Sequence, residues 1–386
     1  MNKLLRSKPY FPEEDVSKIV TDLEKVVRSG MFIQGKFVTE LENKFSEMCG
    51  TKFAIATNSG ATALEVAIRA TGVTGKQIIV PTQTFVASVS AIIRSGNIPV
   101  IVDVDEDTHS LSKSIIEKAC NTETFAVMWI HMTGFITPDY YNIKKFCEDR
   151  GLYLFEDAAH AVGATIDGIS AGNLGYAGCF SLFATKIITS GEGGMITTNH
   201  KSFADECRII RNHGCVRNVE PAGYEGLDFG VNCTWASSNY RMPELSAVVG
   251  LHQMPRVKEF VKKRNDIADV YNKRITNPRI SKMVVPTNIV TPWWQYIISI
   301  KDVPSTDLHL YRTQLCKRLL NEFNIPTANA YWPPCHKQPA FLKYIRSEDK
   351  YPVTDSLLNR HLSLPMYVEM TIEQAEYVSD VVNKII

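Results

Sequence analysis

The chain has 386 residues, of which 45% are apolar and 22% are charged, as in ordinary globular proteins. Because single hydrophobic cores stop growing near ~250–300 residues, this length predicts two lobes. The 42 basic residues nearly balance the 41 acidic ones, with no basic arm or acidic tail, which argues against nucleic-acid binding through a broad charged surface.

The cysteines indicate a reducing compartment, and the apolar runs do not predict a helix that spans a membrane. The nine cysteines are scattered, odd in number and form no C-x-x-C pair, which argues against a zinc cluster or a disulfide framework and predicts a cytoplasmic protein. The first ten residues lack the apolar core of a signal peptide. The most apolar long region, 77–104, is broken by two prolines and by polar residues, so it does not read as a membrane helix.

The N-terminal elements lead to a candidate anion seat. Apolar spacing predicts a first helix from Pro12 to Gly30, and a capping box at 39–42 predicts the start of a second. A short strand over 52–56 precedes Thr57-Asn-Ser-Gly-Ala-Thr-Ala-Leu64, which opens a helix running to about Thr71. Free backbone N–H groups among such small residues suit a phosphate, and a plain Ser/Thr cap is the alternative.

Strand and helix patterns then alternate. The sequence predicts strands at 77–81, 98–104, 125–130 and 152–156, and helices at 85–95, 112–119 and 139–149. Such alternation predicts βαβ crossovers and therefore an α/β fold with a mostly parallel, doubly wound sheet. Ligands bind these sheets outside the carboxyl ends of the strands, and Asp157 stands at one such end.

A further apolar strand runs from Cys179 to a single lysine, Lys186, and is followed by the glycine turn 191–194 and another apolar run, 195–198. A lysine held between packed elements is desolvated, which lowers its pKa and makes it a nucleophile or base. The alternative is a lysine on an exposed loop, the usual place for this residue. The glycine turn does not match the dinucleotide fingerprint G-x-G-x-x-G.

The pattern changes from Arg241 onward. We expect a long helical region to Ile275 with a bend at Pro255, a strand over 294–300, and helices over 308–323 and 371–386. This part reads as a smaller α+β domain. The predicted division is a large domain over 1–250, including the N-terminal helix, and a small C-terminal domain over 251–386.

Three features converge on one cofactor. The seat at 59–62, the carboxylate of Asp157 and the amine of Lys186 are what pyridoxal 5′-phosphate needs: a phosphate site, a partner for its pyridine nitrogen and a lysine for a Schiff base.

With these residues in place, the chain resembles the DegT/DnrJ/EryC1/StrS family of sugar aminotransferases over nearly its whole length, from Lys8 to Tyr367. The resemblance is carried by the motifs at 57–64, 80–88, 156–163, 180–186, 191–194, 211–214, 238–242 and 334–341. It implies the type I fold of PLP-dependent transferases, which is like that of aspartate aminotransferase. That fold has a large domain with the parallel sheet and a smaller C-terminal α+β domain.

The resemblance implies catalytic roles at three positions. Lys186 would form the Schiff base and move the proton during transfer, Asp157 would pair with the pyridinium nitrogen, and His160 would lie near the phenolic oxygen of the ring. The alternatives are a structural lysine, a turn-capping aspartate and a packed histidine.

The resemblance also implies the residues that hold the cofactor. Gly60, Ala61 and Ser181 would bind its phosphate, and Phe85 would stack on its ring unless it serves core packing alone. Asn239 would reach the phosphate from a second subunit, which implies a homodimer with a shared active site, unless it is only a turn residue.

For the substrate side, the family motifs point to Arg211, His213 and His336, and no metal is implied. The sequence departs from the family pattern at three places. Ala61 often is threonine in the family, so phosphate binding would rest on backbone N–H groups and Thr62. The segments 133–138 and 228–238, the latter with Asn232 and Trp235, are also atypical.

The activity implied is ping-pong transfer of an amino group from L-glutamate or glutamine to a keto-sugar, nucleotide-linked, with pyridoxamine phosphate formed midway. One alternative is dehydration of a deoxysugar, although the related dehydratases carry histidine where this chain has Lys186. Another is a PLP-binding regulatory protein without turnover. The sequence identifies neither the sugar, the ring carbon nor the nucleotide.

Overall fold

The computed structural model describes residues 4–217, 231–301 and 307–386. The helices in these ranges are α1 Glu13–Ser29, α2 Lys36–Cys49, α3 Gly60–Arg69, α4 Val86–Arg94, α5 Lys113–Ala119, α6 Tyr140–Asp149, α7 Lys201–Arg211, α8 Glu244–Gln253, α9 Val257–Arg274, α10 Leu308–Phe323, α11 Pro352–Arg360 and α12 Ile372–Ile385. The strands are β1 Phe53–Thr57, β2 Gln77–Pro81, β3 Ile98–Val102, β4 Thr124–Ile130, β5 Tyr153–Asp157, β6 Thr165–Ile166, β7 Ile169–Ser170, β8 Ala177–Ser181, β9 Gly194–Thr198, β10 Cys215–Arg217, β11 Val231–Cys233, β12 Ile280–Lys282, β13 Ile289–Val290, β14 Tyr296–Ile300 and β15 His361–Leu364.

A seven-stranded sheet forms the centre, with the order β1-β9-β8-β5-β4-β2-β3. β9 pairs antiparallel with both β1 and β8, while the other pairings are parallel. Successive side chains of β2 enter different cores, because Ile79 packs on one face of the sheet and Ile78 and Val80 on the other. Helices therefore cover both faces, which confirms the predicted mostly parallel, doubly wound sheet.

A third apolar core lies in the C-terminal part, around the antiparallel sheet β12-β14-β15. α9 joins this core to the central one: Phe260 packs with the central core, and Tyr271 packs with the C-terminal core. Leu4, from the start of the chain, also packs in the C-terminal core. The predicted boundary near residue 250 stays a prediction.

Most predicted elements agree with the structure to within a few residues. Gly30 ends α1 in the left-handed conformation, and a short 3₁₀ turn at 254–256 separates α8 from α9 at Pro255. The strand predicted over 294–300 begins only at Tyr296, which leaves Trp294 in the preceding loop.

The capping box predicted at 39–42 is wrong. α2 begins at Lys36, so these residues lie inside the helix. The start is capped from a distance by the buried carboxylate of Glu244, which accepts hydrogen bonds from the N–H groups of Gly35, Phe37 and Val38 at 2.8, 2.9 and 3.2 Å. A tertiary cap of this kind satisfies the free donors of the first turn, and no local motif reveals it.

Replacing Glu244 by alanine should lower the free energy of unfolding by about 2–3 kcal/mol, because buried N–H groups at the start of α2 lose their acceptor. Urea unfolding followed by circular dichroism measures the change. The matched control is Glu40→Ala on the exposed side of α2, and equal effects of the two changes would contradict the capping role.

No helix in the described ranges is long and apolar enough to cross a membrane. Within the same ranges, no group of three or more His, Cys, Asp or Glu side chains could hold a metal ion.

Candidate active site

The candidate site residues lie beyond the carboxyl ends of the parallel strands. The segments concerned follow β1, β2, β4, β5 and β8, at 58–62, 82–85, 131–134, 157–160 and 181–186. These strands run in the same direction, so their ends meet at one edge of the sheet. The predicted position of the site relative to the sheet follows from this topology.

Lys186 carries an amine in a largely desolvated position. Burial lowers its pKa from 10.5 to about 8, and the nearby carboxylate of Asp157 opposes that shift. Nζ lies 4.3 Å from the centre of the Trp294 ring. An amine with this pKa is partly neutral near physiological pH, as a nucleophile or base requires.

Asp157 is the last residue of β5 and is almost fully buried. Its Oδ2 accepts a hydrogen bond from Ser88 Oγ at 2.7 Å, and its Oδ1 accepts one from the N–H of Ala159 at 3.2 Å. Burial raises the pKa of this carboxyl, while the Ser88 and Ala159 donors and the charge of Lys186 lower it. Thr84 Oγ1 lies 2.8 Å from Ser88 Oγ and extends the chain of hydroxyl groups.

The start of α3 forms the candidate phosphate seat. Ser59 and Thr62 make a capping box that uses the N–H of Thr62, whereas the N–H groups of Gly60 and Ala61 find no acceptor among the described residues. A Cβ at Gly60 would lie 2.7 Å from the Cβ of Ser181, so only glycine allows this approach. Thr62 Oγ1 already contacts Asn58 and Ser59, which leaves the two N–H groups as the donors for an anion.

Aromatic side chains surround His160. Its ring stacks on Trp294 at 3.8 Å between centroids, and its Nε2 shares a hydrogen bond of 2.5 Å with the hydroxyl of Tyr331. Burial and the charge of Lys186 lower the pKa of His160 well below its usual value, which makes the imidazole neutral. Phe85 is 55% exposed and packs 5.7 Å from the Tyr331 ring, so a face of it is open for stacking.

Two of the predicted substrate residues, Arg211 and His336, are buried and form contacts within the protein. Arg211 Nη1 lies 2.5 Å from Glu42 Oε1 and donates to the carbonyl of Ala56 at 3.0 Å, which stabilises the end of β1. His336 is buried, with Nδ1 2.7 Å from Thr82 Oγ1 and its ring stacked on Tyr351. Their part in substrate binding stays a prediction.

Of the remaining predicted residues, Asn239 contacts the segment that forms the phosphate seat, whereas His213 and Trp235 have other contacts. Asn239 is exposed, and its carbonyl accepts a hydrogen bond from Asn58 Nδ2 at 3.2 Å. His213 is exposed in a turn with φ of 60°. Trp235 packs against Gly214 and donates from Nε1 to Glu206 at 2.9 Å. Residues 228–230 of the atypical segment lie outside the described residues.

Several side chains at the site had no role assigned from the sequence. Ser88, in the first turn of α4, lies four residues after Thr84, and this spacing of two hydroxyls at a helix start could have drawn attention to them. Trp294 and Tyr331 come from distant, irregular segments, so no local pattern indicates them. Glu156 orders the 172–175 loop through three backbone N–H groups and also bonds His131.

The low pKa of Lys186 predicts a pH-dependent cost to the stability of the cofactor-free protein. Unfolding restores the pKa of 10.5, so burial of Lys186 costs no stability above that pH. The cost grows as pH falls from 10.5 toward about 8, and it is complete below that pH. Lys186→Met should therefore raise the free energy of unfolding at pH 7 by about 1–3 kcal/mol. The gain should shrink between pH 8 and 10, as measured by urea unfolding. A gain that does not change with pH would contradict this origin.

This arrangement fits pyridoxal phosphate. The glycine-lined cradle offers two free N–H groups to a phosphate, Asp157 offers a buried carboxylate to a ring nitrogen, and Lys186 offers an amine. Together with the doubly wound sheet, these features define a PLP-dependent transferase of the type I fold.

Comparison with known proteins identifies the family. The model of the DegT/DnrJ/EryC1/StrS aminotransferase family matches residues 13–383, so the chain belongs to that family. A GDP-perosamine synthase of Caulobacter vibrioides is 33% identical over 340 residues, covering 87% of this chain and 86% of that protein. A dTDP-3-amino-3,6-dideoxy-alpha-D-galactopyranose transaminase of Aneurinibacillus thermoaerophilus is 30% identical over 364 residues, covering 94% and 93%.

The solved structures include PseC of Helicobacter pylori, an aminotransferase involved in the biosynthesis of pseudoaminic acid. It has a TM-score of 0.88 to this chain at 21% identity, covering 99% of both chains, and so supports the fold. The protein is a sugar aminotransferase, and pyridoxal 5′-phosphate is its cofactor.

Proposed function

We propose that the protein transfers the amino group of L-glutamate or L-glutamine to a keto-sugar linked to a nucleotide, in the synthesis of amino-sugar precursors of polysaccharides or glycans. The observation that carries this proposal is the placement of the Lys186 amine and the Asp157 carboxylate at the ends of β8 and β5, where the charge of each acts on the pKa of the other. Relatives named as GDP- and dTDP-sugar enzymes support a nucleotide-linked acceptor.

Lys186 is proposed to bind the cofactor covalently and to move protons. When bound, pyridoxal phosphate supplies an electron sink for the bonds at the reacting carbon. Once its amine is free, Lys186 takes a proton from the amino donor and later returns one on the way to the amino-sugar. Burial keeps the pKa of this amine close to the working pH, which suits a group that both accepts and donates a proton.

Asp157 is proposed to hold a proton on the ring nitrogen of the cofactor. Its carboxylate must be ionised for this, although burial disfavours the charged form. The hydrogen bond from Ser88 Oγ opposes the effect of burial and also fixes the direction of Oδ2. Ser88 therefore acts through Asp157 and not on the cofactor itself.

The other side chains are proposed to hold the cofactor in place. The N–H groups of Gly60 and Ala61 and the hydroxyl of Ser181 would bind the phosphate. The exposed ring of Phe85 would stack on the pyridine ring. His160, neutral and fixed by Tyr331, would lie toward the phenolic oxygen.

We also propose a homodimer in which Asn239 of one subunit reaches the phosphate of the other. Asn239 is exposed near the end of β1, where Thr57 bridges to Arg241 and Ile33 bridges to Pro243. The neighbouring segments expose the apolar side chains of Met31, Phe32, Ile33 and Leu245. Light scattering tests the dimer, and a monomer at micromolar concentration would overturn it.

The test of the proposed function is a transamination screen. The PLP-loaded protein is incubated with L-glutamate or L-glutamine and with 3-keto and 4-keto sugars linked to UDP, GDP or dTDP. Mass spectrometry should detect one amino-sugar nucleotide together with an equimolar 2-oxo acid. Formation of a deoxysugar without steady consumption of the amino donor, or no product from any pair, would overturn the proposal.

A further inference from the structure

A single side chain from the C-terminal part of the chain, Trp294, contacts the proposed catalytic amine. The Lys186 Nζ lies 4.3 Å from the centre of its ring, within the range of cation–π attraction. Among the described residues, no hydrogen bond or ion pair from another side chain reaches Nζ, and the indole face is the contact that restrains it.

Trp294 is itself held firmly by three further contacts. Its indole Nε1 donates to the carbonyl of Thr185 at 2.9 Å, and its backbone N–H donates to the carbonyl of Thr133 at 2.9 Å. Its ring stacks on His160 with an angle of 11° between the planes. The indole is therefore fixed with respect to the loops that follow β4, β5 and β8.

These contacts act on Lys186 in two ways. The hydrogen bond to Thr185 fixes the backbone next to the lysine, and the ring face fixes the amine at the end of the side chain. A ring face also favours the ammonium over the neutral amine, which opposes the effect of burial. Loss of the ring should therefore lower the pKa of Lys186 further.

We propose that Trp294 is a positioning residue for Lys186, which holds the amine beside the cofactor site whenever that amine is not bonded to the cofactor. The proposal rests on the proposed role of Lys186 in transamination. In a ping-pong transamination the lysine is released from the cofactor in the first half-reaction and must return to it at the end of the second. An amine on a long flexible side chain returns faster when its free position is restricted, because less rotational freedom has to be lost.

Other groups also face this amine, and the experiment must separate their influence from that of Trp294. Asp157 at the end of β5 favours the ammonium, while His160 is neutral and hydrogen-bonded to Tyr331. His131, after β4, bonds Glu156 and lies close enough to act on Asp157. None of these side chains is changed in the variants below.

The experiment compares Trp294→Leu, which removes the aromatic face, with Trp294→Phe, which keeps a smaller aromatic face and removes the indole N–H that bonds Thr185. The neighbouring Trp293→Phe is the matched control, because Trp293 packs in the C-terminal core and donates to Asn265 instead. Each protein is freed of cofactor, and the rate of pyridoxal phosphate capture is followed by visible absorbance between pH 6 and 10. Steady-state kinetics of the loaded proteins give kcat and KM.

We expect the midpoint of the capture profile to fall by about half to one pH unit in Trp294→Leu and to change little in Trp294→Phe. The kcat of Trp294→Leu should fall ~10-fold while the KM for the amino donor stays within about twofold, as expected for a positioning defect. Trp293→Phe should match the wild type in both measurements.

An unchanged midpoint and kcat in Trp294→Leu would overturn the proposal, and so would equal losses in the Leu and Phe variants without a change of midpoint. If Trp294→Leu does not fold, Trp294→Met takes its place as the non-aromatic variant. Equal kcat values for Trp294→Met and Trp294→Phe would then overturn the proposal. Borohydride reduction of the wild type, followed by peptide mass spectrometry, tests the underlying function separately: cofactor attached to another lysine would reject Lys186 irrespective of Trp294.

Discussion

Lys186→Ala is expected to lower kcat for transamination by ~10³-fold or more, because the variant loses both the covalent attachment of the cofactor and the group that moves the proton. The largely desolvated amine, with its pKa of about 8, is the basis of this expectation. Single-turnover formation of the amino-sugar, followed by mass spectrometry, measures the loss. Borohydride should no longer fix pyridoxal phosphate to the protein.

The control for this prediction is Lys201→Ala, which removes an exposed lysine of α7 paired with Asp205. It should retain wild-type activity and covalent attachment. Equal activity of Lys186→Ala and the wild type would remove Lys186 from the mechanism. Restored turnover on addition of a small primary amine would support a proton-transfer role, since such an amine can occupy the space left by the side chain.

Asp157→Asn is expected to lower kcat by ~10²–10³-fold while the protein still binds the cofactor. The amide has the shape of the carboxylate and can still accept the hydrogen bond from Ser88, but it carries no charge to hold a proton on the ring nitrogen. Steady-state kinetics and the visible absorbance of the bound cofactor measure the two effects. An exposed carboxylate, Asp167, provides the matched control Asp167→Asn.

Ser88→Ala distinguishes an electrostatic role of Asp157 from a purely structural one. Removing Ser88 should raise the pKa of Asp157 further, because the carboxylate loses a hydrogen-bond donor that lowers this pKa against the effect of burial. Activity requires the carboxylate and is lost as pH falls through its pKa, so the acid limb of the pH–rate profile should move to higher pH. An acid limb that stays in place would contradict ionisation of Asp157 as the controlling event.

The local signals in the sequence were sufficient for the scaffold and for the positions of the two candidate reacting groups. Alternating apolar runs indicated the parallel sheet, and Asp157 and Lys186 were recognisable because each follows a buried strand. Parallel strands bring their carboxyl ends together, so residues that follow such strands lie at one edge of the sheet, where ligands bind in folds of this kind. The start of α3 was recognisable from its small residues for the same reason.

Only the tertiary structure showed which side chains surround these groups and hydrogen-bond to them. Ser88, Trp294 and Tyr331 contact Asp157, Lys186 and His160 across gaps in sequence that no periodicity spans. The same holds for Glu244, which caps α2 from a later helix and made the local capping box irrelevant. A chain's own pattern reports which side chains are apolar, charged or small, whereas hydrogen bonds and ring contacts between distant segments depend on packing that exists only once the chain has folded.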